Sequence, residues 1–364
     1  MRWSTGLMLL GVFGCGPPVE ETVEDGLRVV RASLKSGAQG QVKFTLPVDD
    51  AETALLATLQ VPEPFLTHFE CLDAPKNNPL FDWDQETGGL YSKTNAGFVA
   101  QAVTLNWPIL ASDAALESGR YRFCASVVEG NQFVKQDVEL TIALKRDPDF
   151  SSGSLQVAIV YAGGVDEDPE LVAATEAALD LWVDLYADVG IEVLFSFYTF
   201  PNGSLDPPAF GTEDDFIAIA EMTSFREVNV VIAPEIAGLE DVFGISGDIP
   251  GPLVSSRRSG VLVSALLSAG ADGAFTAEEV RIFAETMAHE TGHYLGLFHP
   301  VEATFDSWDV LMDTPVCTSE LDCVMAMEDH LMFPFPVCGI QSCTPQGVIT
   351  DEQAAVLNRH AAID

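Results

Sequence analysis

The chain has 364 residues, with 17 Lys and Arg against 55 Asp and Glu, for a formal net charge of −38. A surface that acidic repels nucleic-acid phosphates and anionic membranes, so neither is expected as a partner; the one short basic run is Arg257-Arg258. The length suits two ordinary domains, and neither half shows an internal repeat.

From the N-terminus, residues 1–14 place Arg2 ahead of the apolar run Leu7 to Phe13, the layout of a secretory signal and too short to cross a bilayer. Val12-Phe-Gly-Cys15 resembles the lipobox of bacterial lipoproteins, although Phe13 is an unusual second residue, and the resemblance implies that Cys15 is acylated as the mature N-terminus. Residues 15–27, rich in Pro and Glu, read as a flexible tether. The expected location is the bacterial cell envelope, lipid-anchored on the outer membrane or cell surface, or secreted. A monomer is expected, touching membrane only through its lipid.

Residues 28–148 carry short apolar or alternating runs at Val42 to Leu46, Ala54 to Val61, Phe98 to Trp107, Arg120 to Val128 and Gln136 to Leu144, separated by Gly, Pro, Asn and Asp turns. That pattern predicts an all-β sandwich. Arg120 to Ala125 (RYRFCA) is similar to a late strand of an immunoglobulin-like domain, with its tyrosine three residues before Cys124 rather than two. Cys71 and Cys124 are the only cysteines of this region and make a candidate disulfide; a free Cys71 could instead hold a metal and keep an enzyme latent. Arg146 to Gly153 reads as a linker.

Residues 149–364 alternate strands and helices: strands at Ser154 to Tyr161, Ile191 to Phe200, Val228 to Ala233 and Gly260 to Leu267, helices at Pro169 to Val189 and Glu213 to Met222. An α/β (α+β) layer is expected. Thr276-Ala-Glu-Glu279 is a capping-box pattern, and Val280, Phe283, Ala284, Met287 and Ala288 continue at helical spacing into HETGHYLGLFH, residues 289–299. On that helix His289 and His293 share one face, so both rings can reach one metal ion. Glu290 stands beside them, and Gly296 can take the left-handed conformation that turns the chain so that His299 returns.

HETGHYLGLFH resembles the zinc signature of the metzincin metalloproteases, and Asp313-Thr-Pro315 with His330 to Pro334 (HLMFP) is similar to their pappalysin-like (cytophagalysin) branch. The resemblance spans roughly residues 155 to 364. It implies a metzincin-like zincin domain with one catalytic zinc held by His289, His293 and His299, and a Met-turn methionine beneath the metal, assigned to Met332 among Met312, Met325, Met327 and Met332. No tyrosine follows that methionine, so no tyrosine-assisted step is carried over. Glu302 or Glu320 as third ligand is a weaker alternative.

Neutral imidazoles leave zinc an open position for water, for which Glu290 is the general base. Gly244-Ile-Ser-Gly247 lacks the spacing of a nucleophile elbow. Cys317, Cys323, Cys338 and Cys343 crowd the proposed Met-turn as further disulfide candidates of open pairing, which suits an oxidising compartment. Calcium stays open as a second cation, near Asp166 to Asp168 or Asp306 to Asp313. His330 and His360 read as surface or turn histidines. The expectation is a zinc endopeptidase acting on protein or peptide; the alternative is an inactive zinc- or peptide-binding lipoprotein whose sandwich recognises protein or glycan.

Overall fold

The computed structural model describes residues 18–86, 93–97, 99–269, 275–340 and 342–364; the signal, the lipobox and Cys15 lie outside them. The chain is sheet-rich α+β. Its first part contains strands β1 (Val19–Glu24), β2 (Leu27–Lys35), β3 (Gln41–Val48), β4 (Ala54–Gln60), β5 (Leu66–Ala74), β6 (Asn78–Asp82), a short helix α1 (Trp83–Glu86), β7 (Ala102–Trp107), β8 (Gly119–Glu129), β9 (Gln132–Phe133) and β10 (Asp137–Lys145). They form two antiparallel sheets, β1-β2-β10-β4-β7 and β3-β8-β5-β6, with β9 paired to β8.

Alternation explains the packing. Val30, Ala32 and Leu34 of β2, with Leu55, Ala57 and Leu59 of β4, face Val42, Leu46, Phe69, Phe123 and Val127 of the other sheet in one core. Cys71 bonds Cys124 across the neighbouring strands β5 and β8. The bridge therefore lies within one sheet, whereas an immunoglobulin bridge joins two. It also removes Cys71 as a metal ligand. Tyr121, two-faced by chemistry, buries its ring while its hydroxyl donates to the Glu117 carbonyl and accepts from the Glu117 amide, closing a corner four residues upstream.

The tether expectation fails over Val19–Glu24, which pairs with β2 in register, its turn made by Asp25 and Gly26 at positive φ. Arg31 reaches across to Glu24 and fixes the pairing.

The second part contains β11 (Gly153–Ala162), α2 (Pro169–Ala187), β12 (Ile191–Phe200), β13 (Ser204–Leu205), α3 (Asp215–Met222), β14 (Val228–Ala233), β15 (Glu235–Ile236), β16 (Gly244–Ser246), β17 (Val261–Ser264), α4 (Ala265–Ser268), α5 (Ala277–Tyr294), α6 (Glu320–Met327) and α7 (Asp351–Arg359). Its main sheet runs β12-β11-β14-β17-β16; all pairs are parallel except β16 with β17. β11 is apolar on both faces. Leu155, Val157 and Ile159 meet α2 and α5, while Ala158 and Val160 meet Phe216 and Ile219 of α3. The expected strand Gly260 to Leu267 stops at Ser264, whose side chain caps α4.

The two parts share a core. Leu27, Val29, Leu56 and Ala143 point out of the first sheet and pack with Leu357 and Ala361 of the C-terminal segment. Burying Leu27, Val29 and Leu56 contributes roughly 1.5–3 kcal/mol each, a sum comparable to the net ~5–15 kcal/mol that holds a domain folded. Lys145 Nζ donates to the Asn358 carbonyl at 2.8 Å and Gln60 Nε2 to the Ser255 carbonyl at 2.9 Å, so polar contacts also pin the junction.

Candidate metal centre

The site is built on α5. Thr276 accepts from the Glu279 amide and Glu279 from the Thr276 amide, completing the capping box. Tyr186 of α2, fully buried, donates to the Ala288 carbonyl at 2.8 Å and ties α5 to α2. At the far end the Leu297 amide bonds the Gly292 carbonyl and the Gly296 amide the His293 carbonyl, both at 2.9 Å, with Gly296 at φ +112°. This is a Schellman stop, and it turns the chain so that His299 comes back over the helix.

His289, His293 and His299 form a single group, with ligand atoms all within 4.8 Å of one another. Nε2 of His299 lies 3.2 Å from that of His289 and 3.0 Å from that of His293. Every Nδ1 has a partner: His289 to the Leu331 carbonyl at 2.7 Å, His293 to the Leu297 carbonyl at 2.7 Å, and His299 to Glu302 Oε2 at 3.0 Å. Carbonyls and carboxylates only accept, so each Nδ1 carries a proton, and a ring protonated there alone turns its Nε2 lone pair inward. Three lone pairs at this spacing repel unless a cation sits among them. Zinc at about 2.0–2.1 Å from three tetrahedrally placed nitrogens spaces them roughly 3.3–3.4 Å apart, so the donor set fits that ion.

Burial shifts these groups. It pushes His289 down to about 3, with His299 nearby adding to the effect and the Leu331 carbonyl opposing it. His293 moves down for the same first reason, helped by both neighbouring imidazoles. Glu290 rises to about 8 through burial, against a hydrogen bond from the Ser246 main chain. A cation standing next to it would favour the carboxylate and oppose that rise.

Glycines let the walls close. A Cβ on Gly244 would lie 2.6 Å from Glu290 Cγ and 2.9 Å from Thr286 Cγ2, so the edge strand β16 rests directly on α5 only because that position has no side chain. A Cβ on Gly292 would lie 2.7 Å from the sulfur of Met332, which is fully buried under the ligand helix. Glu302 stands behind His299 as its Nδ1 partner, and Glu320 begins α6 as a first-turn carboxylate.

An open cleft of about 600 Å³ runs over the trio, lined by Gly244 to Ile249, Arg258, Ala209 and Pro334, and by Asn95, Ala100 and Val103 of the first part. Asp248 is buried there against Arg258, Oδ2 to Nη1 at 3.0 Å, and burial raises its carboxyl. Sequence reasoning missed β16, Asp248 and the first-part residues. A three-residue strand is too short for a periodicity signal, and nothing in the composition of residues 95–103 shows which part they face.

The remaining cysteines pair as Cys317–Cys323 and Cys338–Cys343. His330 and His360 are buried rather than exposed, because the chain folds back over both. Among the described residues the histidine trio is the one metal-holding group found. Of the carboxylates considered for calcium, Asp168 accepts from the Glu170 amide to cap α2, and Asp313 accepts from Thr350 and the Glu352 amide. No helix among the described residues is long and apolar enough to cross a membrane.

No family model matches the chain, and no curated protein sequence does. Solved structures with partial likeness include metalloproteinase-II from Bacteroides fragilis, at 10% identity and TM-score 0.31, covering 61% of this chain and 62% of that one, so this chain spans less than two thirds of its length. Archaemetzincin from Methanopyrus kandleri is 15% identical with TM-score 0.27, over 59% of this chain and 90% of that one. A periplasmic inhibitor of g-type lysozyme from Aeromonas hydrophila is 11% identical with TM-score 0.21, over 33% of this chain and 89% of its own.

Proposed function

We propose that the chain is a zinc-dependent endopeptidase of metzincin-like type with Glu290 as general base. The observation that carries this is the set of three imidazoles whose outer nitrogens are all tied to acceptors and whose inner lone pairs converge. Bound zinc supplies Lewis acidity, activating a water and polarising the scissile carbonyl. His289, His293 and His299 hold it. The Leu331 and Leu297 carbonyls and Glu302 accept from Nδ1, fixing the tautomer and the aim of those rings. Glu290 takes a proton from the attacking water at a carboxylate oxygen and returns it to the departing amine. The strand β16 lies at the edge of its sheet and lines the cleft, and an extended peptide can add there as a further strand. Met332, buried beneath the helix, serves as the Met-turn floor.

The proposed organisation is a signal at 1–14, a lipid anchor on Cys15, a β-sandwich domain to residue 148 and a protease domain from 149. Six of the seven cysteines are consumed in three disulfides, which suits an envelope or secreted protein and leaves Cys15 as the remaining thiol for acylation. The test is metal analysis beside peptide hydrolysis. Wild type is expected to hold one zinc per chain and cleave; Glu290→Ala is expected to keep the zinc and lose cleavage by ~10²–10⁴-fold. Equal cleavage by both proteins sinks the assignment.

A further inference from the structure

The cleft over the histidines has one wall that does not belong to the part carrying them. Asn95, Ala100 and Val103 come from the sandwich, and they line the cleft together with β16. This wall is fixed rather than draped. The Asn95 amide donates to the Ile249 carbonyl at 2.9 Å, just beyond the strand, and Ala100 exchanges main-chain hydrogen bonds with Thr67 at 2.7 and 3.0 Å. Ala100 and Val103 are small, apolar and buried, while Asn95 is half-buried, as are Ala209 and Ile245 nearby.

A segment destined for removal would need a separable interface. Here β4 of the first sheet is buried on both faces, and Leu27, Val29, Leu56 and Ala143 lie in the same apolar cluster as Met287 and Ala288 of the ligand helix. Arg226, buried to 1% exposure, ties the turn before β2 to the chain end through the Asp25 and Ile363 carbonyls. Stripping residues 18–148 would uncover that cluster and open the cleft on one side.

We propose that the sandwich stays with the protease domain in the active enzyme and forms one side of its substrate cleft, where Ala100 and Val103 select an extended peptide strand bearing small apolar side chains. This rests on the peptidase reading above and names which part of the chain sets its preference. The strand lies between β16, which pairs with its main chain, and the Ala100 and Val103 surface, which limits how far its side chains can reach.

The experiment measures two things on the matured, zinc-containing protein: its intact mass, and kcat and KM on a peptide series in which one side chain grows from Ala to Phe. The mass is expected to include residues 18–148. Ala100→Leu is expected to raise KM for the Phe-bearing member at least tenfold, with little change in kcat and zinc content. Val103→Ala, the opposite change in volume, is expected to lower that KM and so guards against a variant that merely folds poorly. Glu290-dependent cleavage by a species lacking residues 18–148 overturns the proposal while leaving the peptidase reading intact, as does a KM that neither variant moves at any side chain. Absence of Glu290-dependent cleavage overturns both.

Discussion

Of the regions of this molecule that bury imidazoles, two lower the ring alike yet aim its lone pair differently. On α5 and its return loop, burial drives His289 down to about 3; at the C-terminus, burial drives His360 to about 3 as well, with Lys145 nearby adding to it. On α5 the outer nitrogens donate and the inner lone pairs meet. At His360 the Nδ1 lone pair accepts the Ala362 amide at 3.1 Å, so it is spent on the backbone of the last turn. A perturbed histidine is thus no sign of a site by itself. What distinguishes the two regions is where the lone pair points and whether others point at the same spot.

The largest effect should separate the two regions outright. His293→Ala removes a converging lone pair, and zinc affinity is expected to fall more than the ~10–100-fold that loss of a supporting partner costs; cleavage should go with it. His360→Gln should leave zinc content at the wild-type value. Competition with a chelator of known affinity reads both, and the comparison breaks if the two variants lose zinc alike. Next comes the support itself. Glu302→Gln keeps an oxygen near His299 Nδ1 but removes its charge, so zinc affinity should fall by ~10–100-fold with the fold intact. If affinity is unchanged, Glu302 has no part in orienting His299.

The eleven-residue motif was readable because helix geometry alone puts His289 and His293 on one face, and because Gly296 permits one specific turn. The capping box at Thr276 was equally local and is present. What stayed hidden was the junction. The run Ala54-Leu-Leu-Ala-Thr-Leu59 is apolar without alternation, and it reads as a core strand; its lack of a polar face means burial on both sides, here against the second part. The partner of that second face lies some 300 residues away at Leu357 and Ala361, a distance over which no periodicity speaks. The flexible-tether expectation failed for a related reason: Val19–Glu24 is acidic and exposed on most positions, and only pairing with Leu27–Lys35 makes it a strand. His360 looked like a surface residue because a lone histidine near a terminus carries no signal of the Ala362 amide that awaits it.

The smallest effect is on stability rather than catalysis, and its sign follows from linkage. An unfolded histidine titrates near 6.5, and His360 in the fold near 3. Between those values the unfolded chain binds the extra proton, so the contribution is complete above about pH 6.5 and is lost as pH falls towards 3. The slope from this one group is up to roughly 1.4 kcal/mol per pH unit, or about tenfold in the folding equilibrium by pH 5.5. Protonating Nδ1 would also cost the Ala362 hydrogen bond and set a third cation beside Lys145 and Arg226. His360→Gln cannot titrate, so its urea-unfolding free energy, measured from pH 7 to 5 beside the wild type with zinc bound in both, should decline less steeply by about one proton's worth. Parallel pH profiles would mean that His360 is solvated in the folded protein, and the contrast between a spent and a converging lone pair would then rest on the metal data alone.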